Sequence, residues 1–293
     1  MTSLLQVQNL DFTYPNQSKP ALANINVDIS PGEVFGFLGP SGAGKSTLQK
    51  LMIRLLTGFQ GSIHLQNKLL ADWDRSLYNY IGVSFEFPTH FSKLTAIENL
   101  RFFSSLHPSA NQSSFSIDEV LGWVGLAKDG DTQVSQFSKG MKNRLSVARA
   151  VLHRPKIVFL DEPTAGLDPV STQAIKNLVN QLKQQGITVV INTHNMVIAE
   201  QLCDQVAFIV NGKIDTVDAP QALKMKYGQD QVVVEFQSAG GLQQQQFVLS
   251  KIQHNADFLS LIQRQPITTI HSREATLEEV FIRLTGEHLG EPV

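Results

Sequence analysis

A glycine-rich loop followed by a lysine and two hydroxyl residues carries the most specific chemistry in the sequence. The loop consists of Gly39, Pro40, Ser41, Gly42, Ala43, Gly44, Lys45, Ser46 and Thr47. It follows the apolar run Val34–Leu38 and precedes a segment whose apolar residues recur at helical spacing. Glycines let the backbone turn so that consecutive N–H groups point at phosphate oxygens, and the helix start adds its free amides and dipole. The loop is therefore predicted to bind nucleotide phosphates, with Lys45 reaching the β- and γ-phosphates and Ser46 ligating Mg²⁺.

The loop matches the Walker A pattern, which by itself leaves kinases, GTPases, helicases and transport ATPases open. A second apolar run, residues 157–160, ends in Asp161 and Glu162 and resembles the Walker B motif of the ABC family of ATPases. The resemblance implies that Asp161 holds Mg²⁺ through water, as a hard oxygen ligand should. It also implies that Glu162 lies beside the γ-phosphate and orients or deprotonates the attacking water. The alternative is an acidic pair in a loop at a strand end.

The segment Phe137, Ser138, Lys139, Gly140 and Met141 stands where the ABC family has its signature sequence, Leu-Ser-Gly-Gly-Gln. Ser138 and Gly140 match that sequence, and the other three residues depart from it. The variant is similar to that of bacterial drug-export and sodium-export ATPases. The resemblance implies that this helix N-terminus meets the γ-phosphate held by the opposite protomer. Simple capping of the following helix by Ser138 is the alternative.

Three single residues extend the resemblance. Asp168 stands in a segment similar to the loop that crosses the family's dimer interface, although Asp168 and Pro169 also form a good N-cap and first helical residue. His194 follows an apolar run and resembles the histidine that hydrogen-bonds the γ-phosphate, at a strand end where ligands of α/β proteins bind. Tyr14 matches the aromatic residue that stacks on adenine, with an ordinary core tyrosine as the alternative.

Glu86 departs from the family pattern, which has a glutamine near Mg²⁺ and the attacking water at this position. A carboxylate has the same reach as the amide, but it cannot donate a hydrogen bond and it carries a charge. Direct ligation of Mg²⁺ by Glu86 and a steeper Mg²⁺ requirement are therefore predicted. The alternative is that the site tolerates either residue.

The amino-acid composition narrows the classes of protein to which the chain can belong. The 293 residues are 42% hydrophobic and 17% charged, with a formal net charge of −2, which indicates a globular chain and disfavours nucleic-acid binding. Cys203 is the only cysteine, so an intramolecular disulfide is excluded. No stretch approaches the roughly 18 apolar residues that cross a bilayer. We expect a cytoplasmic protein that lies peripherally on the inner face of the cell membrane through a partner.

Apolar runs alternate with helical patterns, which favours an α/β fold with a parallel core sheet. With the resemblance, this predicts an ABC-type P-loop ATPase core over residues 1–227, with a helical signature subdomain at about 90–155. A small C-terminal α+β domain is predicted over 228–293. Within it, Gly240, Gly241 and residues 243–246 are expected to form a flexible hairpin loop, and Thr276 with Glu279 a capping box.

The resemblance of the Phe137–Met141 variant and of the tail Thr276–Phe281 implies the nucleotide-binding subunit of an ABC exporter. Such a subunit hydrolyses ATP with Mg²⁺, closes as a homodimer or with a related subunit, and drives a separate integral membrane permease. The alternatives are a soluble ABC ATPase acting on ribosomes or DNA, and a regulatory nucleotide-binding module without turnover. The sequence does not name a transported substrate, because selectivity normally lies in the membrane subunit.

Overall fold

The computed structural model of the chain describes residues 3–107, 114–227, 231–238, 240–273 and 275–286. The chain divides into two compact units, of which the second spans Pro220–Glu287. The domain boundary predicted after residue 227 lies one helix downstream of this division and stays a prediction.

The first unit contains ten strands and seven helices in its described residues. The strands are β1 (Leu5–Phe12), β2 (Leu22–Ile29), β3 (Val34–Leu38), β4 (Gln60–Leu65), β5 (Lys68–Leu69), β6 (Ile81–Ser84), β7 (Ile157–Asp161), β8 (Thr188–Thr193), β9 (Gln205–Val210) and β10 (Lys213–Asp218). The helices are α1 (Lys45–Met52), α2 (Leu77–Tyr80), α3 (Ala96–Ser105), α4 (Ile117–Trp123), α5 (Lys139–Val151), α6 (Pro169–Gln184) and α7 (Met196–Leu202).

A six-stranded sheet in the order β10-β9-β3-β8-β7-β6 forms the centre of this unit. Its strands are parallel except for the antiparallel edge strand β10. Every residue of β3, β7 and β8 is buried, as expected for a parallel sheet that is covered on both faces. Leu38 pairs with Thr193, and Asp161 pairs with Asn192, so the carboxyl ends of these three strands meet at one sheet edge. Ligands of α/β proteins bind at this edge.

A second sheet, β2-β1-β4-β5, is antiparallel and shares a hydrophobic core with the central sheet. The described residues between 90 and 155 form α3, α4, α5 and short 3-10 turns, with a single isolated bridge between Thr95 and Gln133. Capping boxes begin α3 and α4, because a hydroxyl side chain accepts from the third helical residue and the glutamate there bonds back. The predicted α/β core and helical segment are confirmed.

The second unit contains α8 (Pro220–Tyr227), β11 (Gln231–Ser238), β12 (Gly241–Val248), α9 (Ala256–Arg264), β13 (Ile267–Arg273) and α10 (Leu277–Thr285). Its strands form an antiparallel sheet in the order β12-β11-β13. Val232, Val234 and Phe247 form its small core, against which Phe258 and Leu261 of α9 pack. The predicted capping box of Thr276 and Glu279 is confirmed at the start of α10.

The prediction of a flexible loop at residues 243–246 is wrong. These glutamines lie within β12 and pair in continuous register with β11. The pairing uses backbone N–H and C=O groups, so it does not require apolar side chains where both faces of the strand are exposed. Polar composition therefore did not indicate a loop here.

No helix in the described parts of either unit combines the length and the apolar character needed to span a membrane.

Candidate nucleotide-binding site

The glycine-rich loop lies between β3 and α1 and folds around the ammonium group of Lys45. The φ angle of Gly44 is 110°, and a Cβ atom there would lie 3.0 Å from the carbonyl oxygen of Ala21, so only glycine fits without strain. Lys45 Nζ donates to the carbonyl oxygens of Gly39 at 2.6 Å and of Pro40 at 2.8 Å. Burial lowers the pKa of Lys45, and the nearby carboxylates of Glu162, Asp161 and Glu86 oppose this effect. The loop thus holds a positive charge that lacks a direct anionic partner among the described residues.

Asp161 ends β7 with a carboxylate that faces the start of α1. Ser46 Oγ donates to Asp161 Oδ2 at 3.3 Å, and Asn192 Nδ2 donates to Oδ1 at 3.4 Å. Burial raises the pKa of Asp161, the two hydrogen bonds lower it, and the charges of Glu162 and Glu86 raise it further. A hydroxyl and a carboxylate at hydrogen-bond distance are hard oxygen donors of the kind that suits Mg²⁺, which takes its other ligands from phosphates and water. The residues present therefore fit the metal that nucleotide phosphates bring with them.

Gln49 and Asn192 are buried polar residues near this carboxylate that sequence reasoning missed. The Asn192 amide nitrogen donates both to Asp161 and to Gln49 Oε1, while Asn192 Oδ1 has no partner. The reverse amide orientation would direct an oxygen at two acceptors, so the two contacts fix the amide. An unpaired buried carbonyl oxygen costs stability.

Glu162 follows Asp161 and is held by three donors at the end of β8. Its Oε2 accepts from Thr193 Oγ1 at 2.9 Å. Its Oε1 accepts from the His194 backbone N–H at 2.9 Å and lies 2.7 Å from His194 Nδ1. The Glu162 side chain is 11% exposed, whereas that of His194 is 54% exposed. The sequence-predicted carboxylate and histidine are thus brought together, and Thr193 is a contact that the sequence patterns did not indicate.

These groups surround a pocket of about 350 Å³. It is lined by Ser41, Gly42, Gly44, Lys45, Ser46, Thr47, Glu86, Asp161, Glu162, Ala165 and His194. All but Ala165 are residues predicted from the sequence. Gly39, Pro40 and Ala43 belong to the loop but do not line the pocket. Glu86, on the segment after β6, is exposed.

Tyr14 lies in a neighbouring pocket of about 280 Å³ that shares Gly42, Gly44 and Thr47 with the first. Its hydroxyl lies 3.0 Å from Thr47 Oγ1, and its ring packs edge-on against Phe12. The half-buried ring therefore borders the groove beside the loop, in a pocket that is lined by no carboxylate.

The signature segment and Asp168 line neither pocket. Phe137 is buried, whereas Ser138 and Lys139 are exposed at the N-terminus of α5. Ser138 Oγ accepts from the Met141 backbone N–H at 3.2 Å, and a Cβ atom on Gly140 would lie 3.2 Å from Leu167 Cδ2.

Asp168 caps α6, accepting from the Ser171 backbone N–H at 3.0 Å and from Ser171 Oγ at 2.6 Å. These bonds from Ser171 lower the pKa of Asp168. The capping alternatives for Ser138 and Asp168 are both observed, and they leave the exposed surfaces of these segments available for a second role.

Comparison with known proteins shows the family to which the chain belongs. The ABC transporter family model matches residues 22–165, and that of the fluoroquinolone efflux ABC transporter C-terminal domain matches residues 230–274. The chain is 44% identical to the fluoroquinolones export ATP-binding protein of Mycobacterium tuberculosis, over 98% of this chain and 95% of that protein. It is 35% identical to a lantibiotic transport ATP-binding protein of Streptococcus pyogenes, over 72% of this chain and 89% of that protein.

Among solved structures, the dimeric structure of a bacterial ABC transporter cassette matches with a TM-score of 0.67 and 26% identity, covering 73% of this chain and 98% of that one. The fold and site thus define a P-loop ATPase cassette. The chain belongs to the ATP-binding subunits of ABC transporters.

Proposed function

We propose that the chain hydrolyses Mg·ATP in a dimer of two copies and thereby drives a separate membrane permease in drug export. The observation that carries this proposal is the single pocket that unites Lys45, Asp161 and Glu162, while the signature helix N-terminus lies exposed outside it. This pocket contains the phosphate-binding loop and Glu162 as the base, but not the signature segment. It is therefore half of a site that two chains complete.

Ser46 and Asp161 would hold Mg²⁺, whose charge neutralises the phosphate oxygens when the metal is bound. Lys45 leaves its two loop carbonyls and binds the β- and γ-phosphates, and the amides of the loop and of α1 bind the remaining oxygens. Tyr14 lines the adjoining pocket beside the loop, where it would offer an aromatic face for stacking on the adenine ring.

Glu162 acts as the general base, accepting at a carboxylate oxygen the proton of the water that attacks the γ-phosphate. Its burial and its three donors fix the carboxylate in one orientation, which is the positioning that phosphoryl transfer needs. His194 is half exposed and can exchange its bond to Glu162 for one to the γ-phosphate.

Ser138 and Gly140 act on the ATP of the opposite chain. The exposed N-terminus of α5 carries free amides and a positive dipole end, and these bind phosphate oxygens across the dimer. The dimeric cassette structure supports this arrangement, since this chain resembles it over 73% of its length. Asp168 lies on the segment that would cross the interface.

The proposed export direction and the proposed class of transported compound are inferred from the names of the similar proteins. Their names describe fluoroquinolone export and lantibiotic transport, and the full-length match to the former includes the C-terminal unit. The exposed rings of Phe91 and Phe102 and the half-buried ring of Phe103, with centroids 4.8–5.9 Å apart, offer a docking site for the permease. The permease would hold the chain at the inner face of the cell membrane.

The test separates hydrolysis from binding. Glu162→Gln should retain ATP affinity, lose at least about 100-fold of the turnover rate by removing the base, and accumulate as an ATP-bound dimer in size-exclusion chromatography. Lys45→Ala should lose ATP binding itself. Glu278→Gln, an exposed change on α10, is the matched control and should behave as wild type. Near-wild-type hydrolysis by Glu162→Gln contradicts the assignment of the base.

A further inference from the structure

The outer edge of β12 is a long strand edge that carries no protecting charge. Its eight residues, Gly-Leu-Gln-Gln-Gln-Gln-Phe-Val, pair with β11 without a register shift, and no described strand lies beyond it. All but Gly241 and Phe247 are exposed. Such an edge presents a row of unpaired N–H and C=O groups that is ready to pair with another strand.

Two other sheet edges carry devices that prevent such pairing. The edge strand β10 contains Lys213, Asp215 and Asp218 and has a register shift against β9. On the far side of the C-terminal sheet, β13 has a register shift opposite Glu235 and Phe236. Charges and bulges of this kind block edge pairing, and β12 has neither.

We propose that β12 pairs antiparallel with β12 of a second copy, joining two C-terminal sheets into one. With a two-fold axis perpendicular to the sheet, a side chain and its symmetry copy lie on the same face of the joined sheet. Directly opposed residues of an antiparallel pair also share a face, so each residue of β12 must oppose a residue from the same face of the other β12. Centring the axis on Gln245 satisfies this condition. It places Gln244 opposite Gln246, and Leu242 opposite Val248.

This register makes the strand complementary to itself. Leu242 is 60% exposed and Val248 is 46% exposed. At each end of the proposed pair, Leu242 of one copy packs against Val248 of the other. The central glutamines each offer a carbonyl acceptor and an amide donor, so like side chains bond to one another without charge repulsion. A charged partner segment would find no complementary charge on this edge.

The pairing goes beyond the proposed ATPase function and does not rest on it. A single strand pair is a small interface, so it is expected to be weak between free chains and much stronger between chains that already associate. The dimer proposed for the ATPase unit supplies such a tether.

The experiment is disulfide trapping in the full chain. Opposed residues in an antiparallel pair have Cα atoms about 4.5–5.5 Å apart, which a disulfide can bridge. Gln245→Cys meets its own copy at the axis, whereas Gln243→Cys is displaced from its copy by about four residues, or ~14 Å. The native Cys203 is buried, so the wild-type chain is the background control.

Under mild oxidation with ATP present, Gln245→Cys should form a disulfide-linked dimer as the major species, while Gln243→Cys stays at the wild-type level. With ATP present, adding Lys45→Ala to Gln245→Cys should reduce but not abolish the cross-linked product relative to Gln245→Cys alone, because the ATP-bound dimer is lost while the edge still pairs without ATP. Adding Gln244→Lys and Gln246→Lys together should abolish it, since lysines then oppose lysines, whereas Gln263→Lys on α9 should not.

Equal trapping at positions 243 and 245, or no trapping at 245 with ATP present, overturns the proposal. Both results leave the proposed ATPase function untouched, because that function is read from the turnover and ATP-bound dimer of Glu162→Gln. Conversely, an active Glu162→Gln chain that still cross-links at 245 would contradict the ATPase assignment alone.

Discussion

Glu162 has a φ angle of 46°, in the left-handed region that few residues other than glycine adopt. Such a conformation costs on the order of 1–3 kcal/mol and persists only where the surroundings hold it. Here the carboxylate bonds to Thr193 and His194 provide that support. Removing the ring of His194 therefore affects the position of Glu162 as well as any contact to phosphate.

Glu86 places a third carboxylate in the pocket with Asp161 and Glu162. We expect Glu86→Gln to bind Mg²⁺ more weakly, because a neutral amide of equal reach replaces a charge. A unit charge about 4 Å away contributes on the order of 1 kcal/mol per metal charge at high dielectric, or about 2 kcal/mol for Mg²⁺, so the Mg²⁺ concentration for half-maximal ATPase should rise roughly 30-fold.

The measurement is an Mg²⁺ titration of ATPase rate at fixed ATP, repeated at high salt. Because Glu86 is exposed, salt should shrink the difference between the two chains. Glu278→Gln is the control, because it removes the same charge at an exposed position far from Glu86 in the sequence. Equal Mg²⁺ midpoints with equal maximal rates would mean that Glu86 has no part in metal binding.

Among the secondary structure elements, the segment that directly follows α5 contacts β6 through a buried histidine. His153 is 7% exposed, its Nε2 lies 3.0 Å from the carbonyl oxygen of Ile81, and its ring stacks on His107 at 4.1 Å. Burial, with a smaller effect of His107, lowers the pKa of His153 to about 4. The folded state therefore keeps this imidazole neutral.

We expect the stability of the chain to fall as pH falls from about 6.5 towards 4. The folded pKa lies below the unfolded value, so the unfolded chain binds the extra proton in this window and the stabilisation is complete only above it. The free energy of unfolding decreases by up to about 3 kcal/mol over this pH range. Urea unfolding at pH 7 and pH 4.5 measures it.

His153→Gln should flatten this pH dependence, whereas His254→Gln, an exposed change in the second unit, should preserve it. An unchanged pH dependence in His153→Gln would assign the acid sensitivity to other groups.

The elements that the sequence predicted best are those whose signal is local. The continuous apolar runs of β3, β7 and β8 indicate strands buried on both faces, and hydroxyl–glutamate pairs mark helix starts. The glutamines of β12 carry no such pattern, because an exposed edge strand is specified by its neighbour β11. Strand β12 is recognised only from its backbone pairing with β11, which includes Val232 with Phe247 and continues along the strand.

At the scale of the molecule, the candidate site was predictable where motif residues share a loop or a strand end. The Gln49–Asn192 contact was not, because it joins residues 143 positions apart whose types suit many roles. Its existence depends on which side chains of α1 and β8 face each other across the core. Long-range polar pairs of this kind require the fold.

The whole-molecule prediction is that each ATP site takes its loop from one chain and its signature segment from the other. Lys45→Ala chains lose phosphate binding, and Ser138→Arg chains present a bulky side chain where α5 should meet phosphate, so each alone should be inactive. In a heterodimer, Lys45 of the second chain meets Ser138 of the first, and one site is complete. An equal mixture should then recover about a quarter of wild-type ATPase activity if chains pair at random and sites act independently.

Ser138 also caps α5, and loss of the cap costs about 1 kcal/mol, so the Ser138→Arg chain must first be shown to fold and to bind ATP. Circular dichroism and nucleotide binding measure this directly. With both chains folded, the composite site predicts that recovered activity rises with the square of total chain concentration below the dimerisation range, because two chains must meet. A folded, ATP-binding mixture that forms dimers and stays inactive would show that each chain completes its own site.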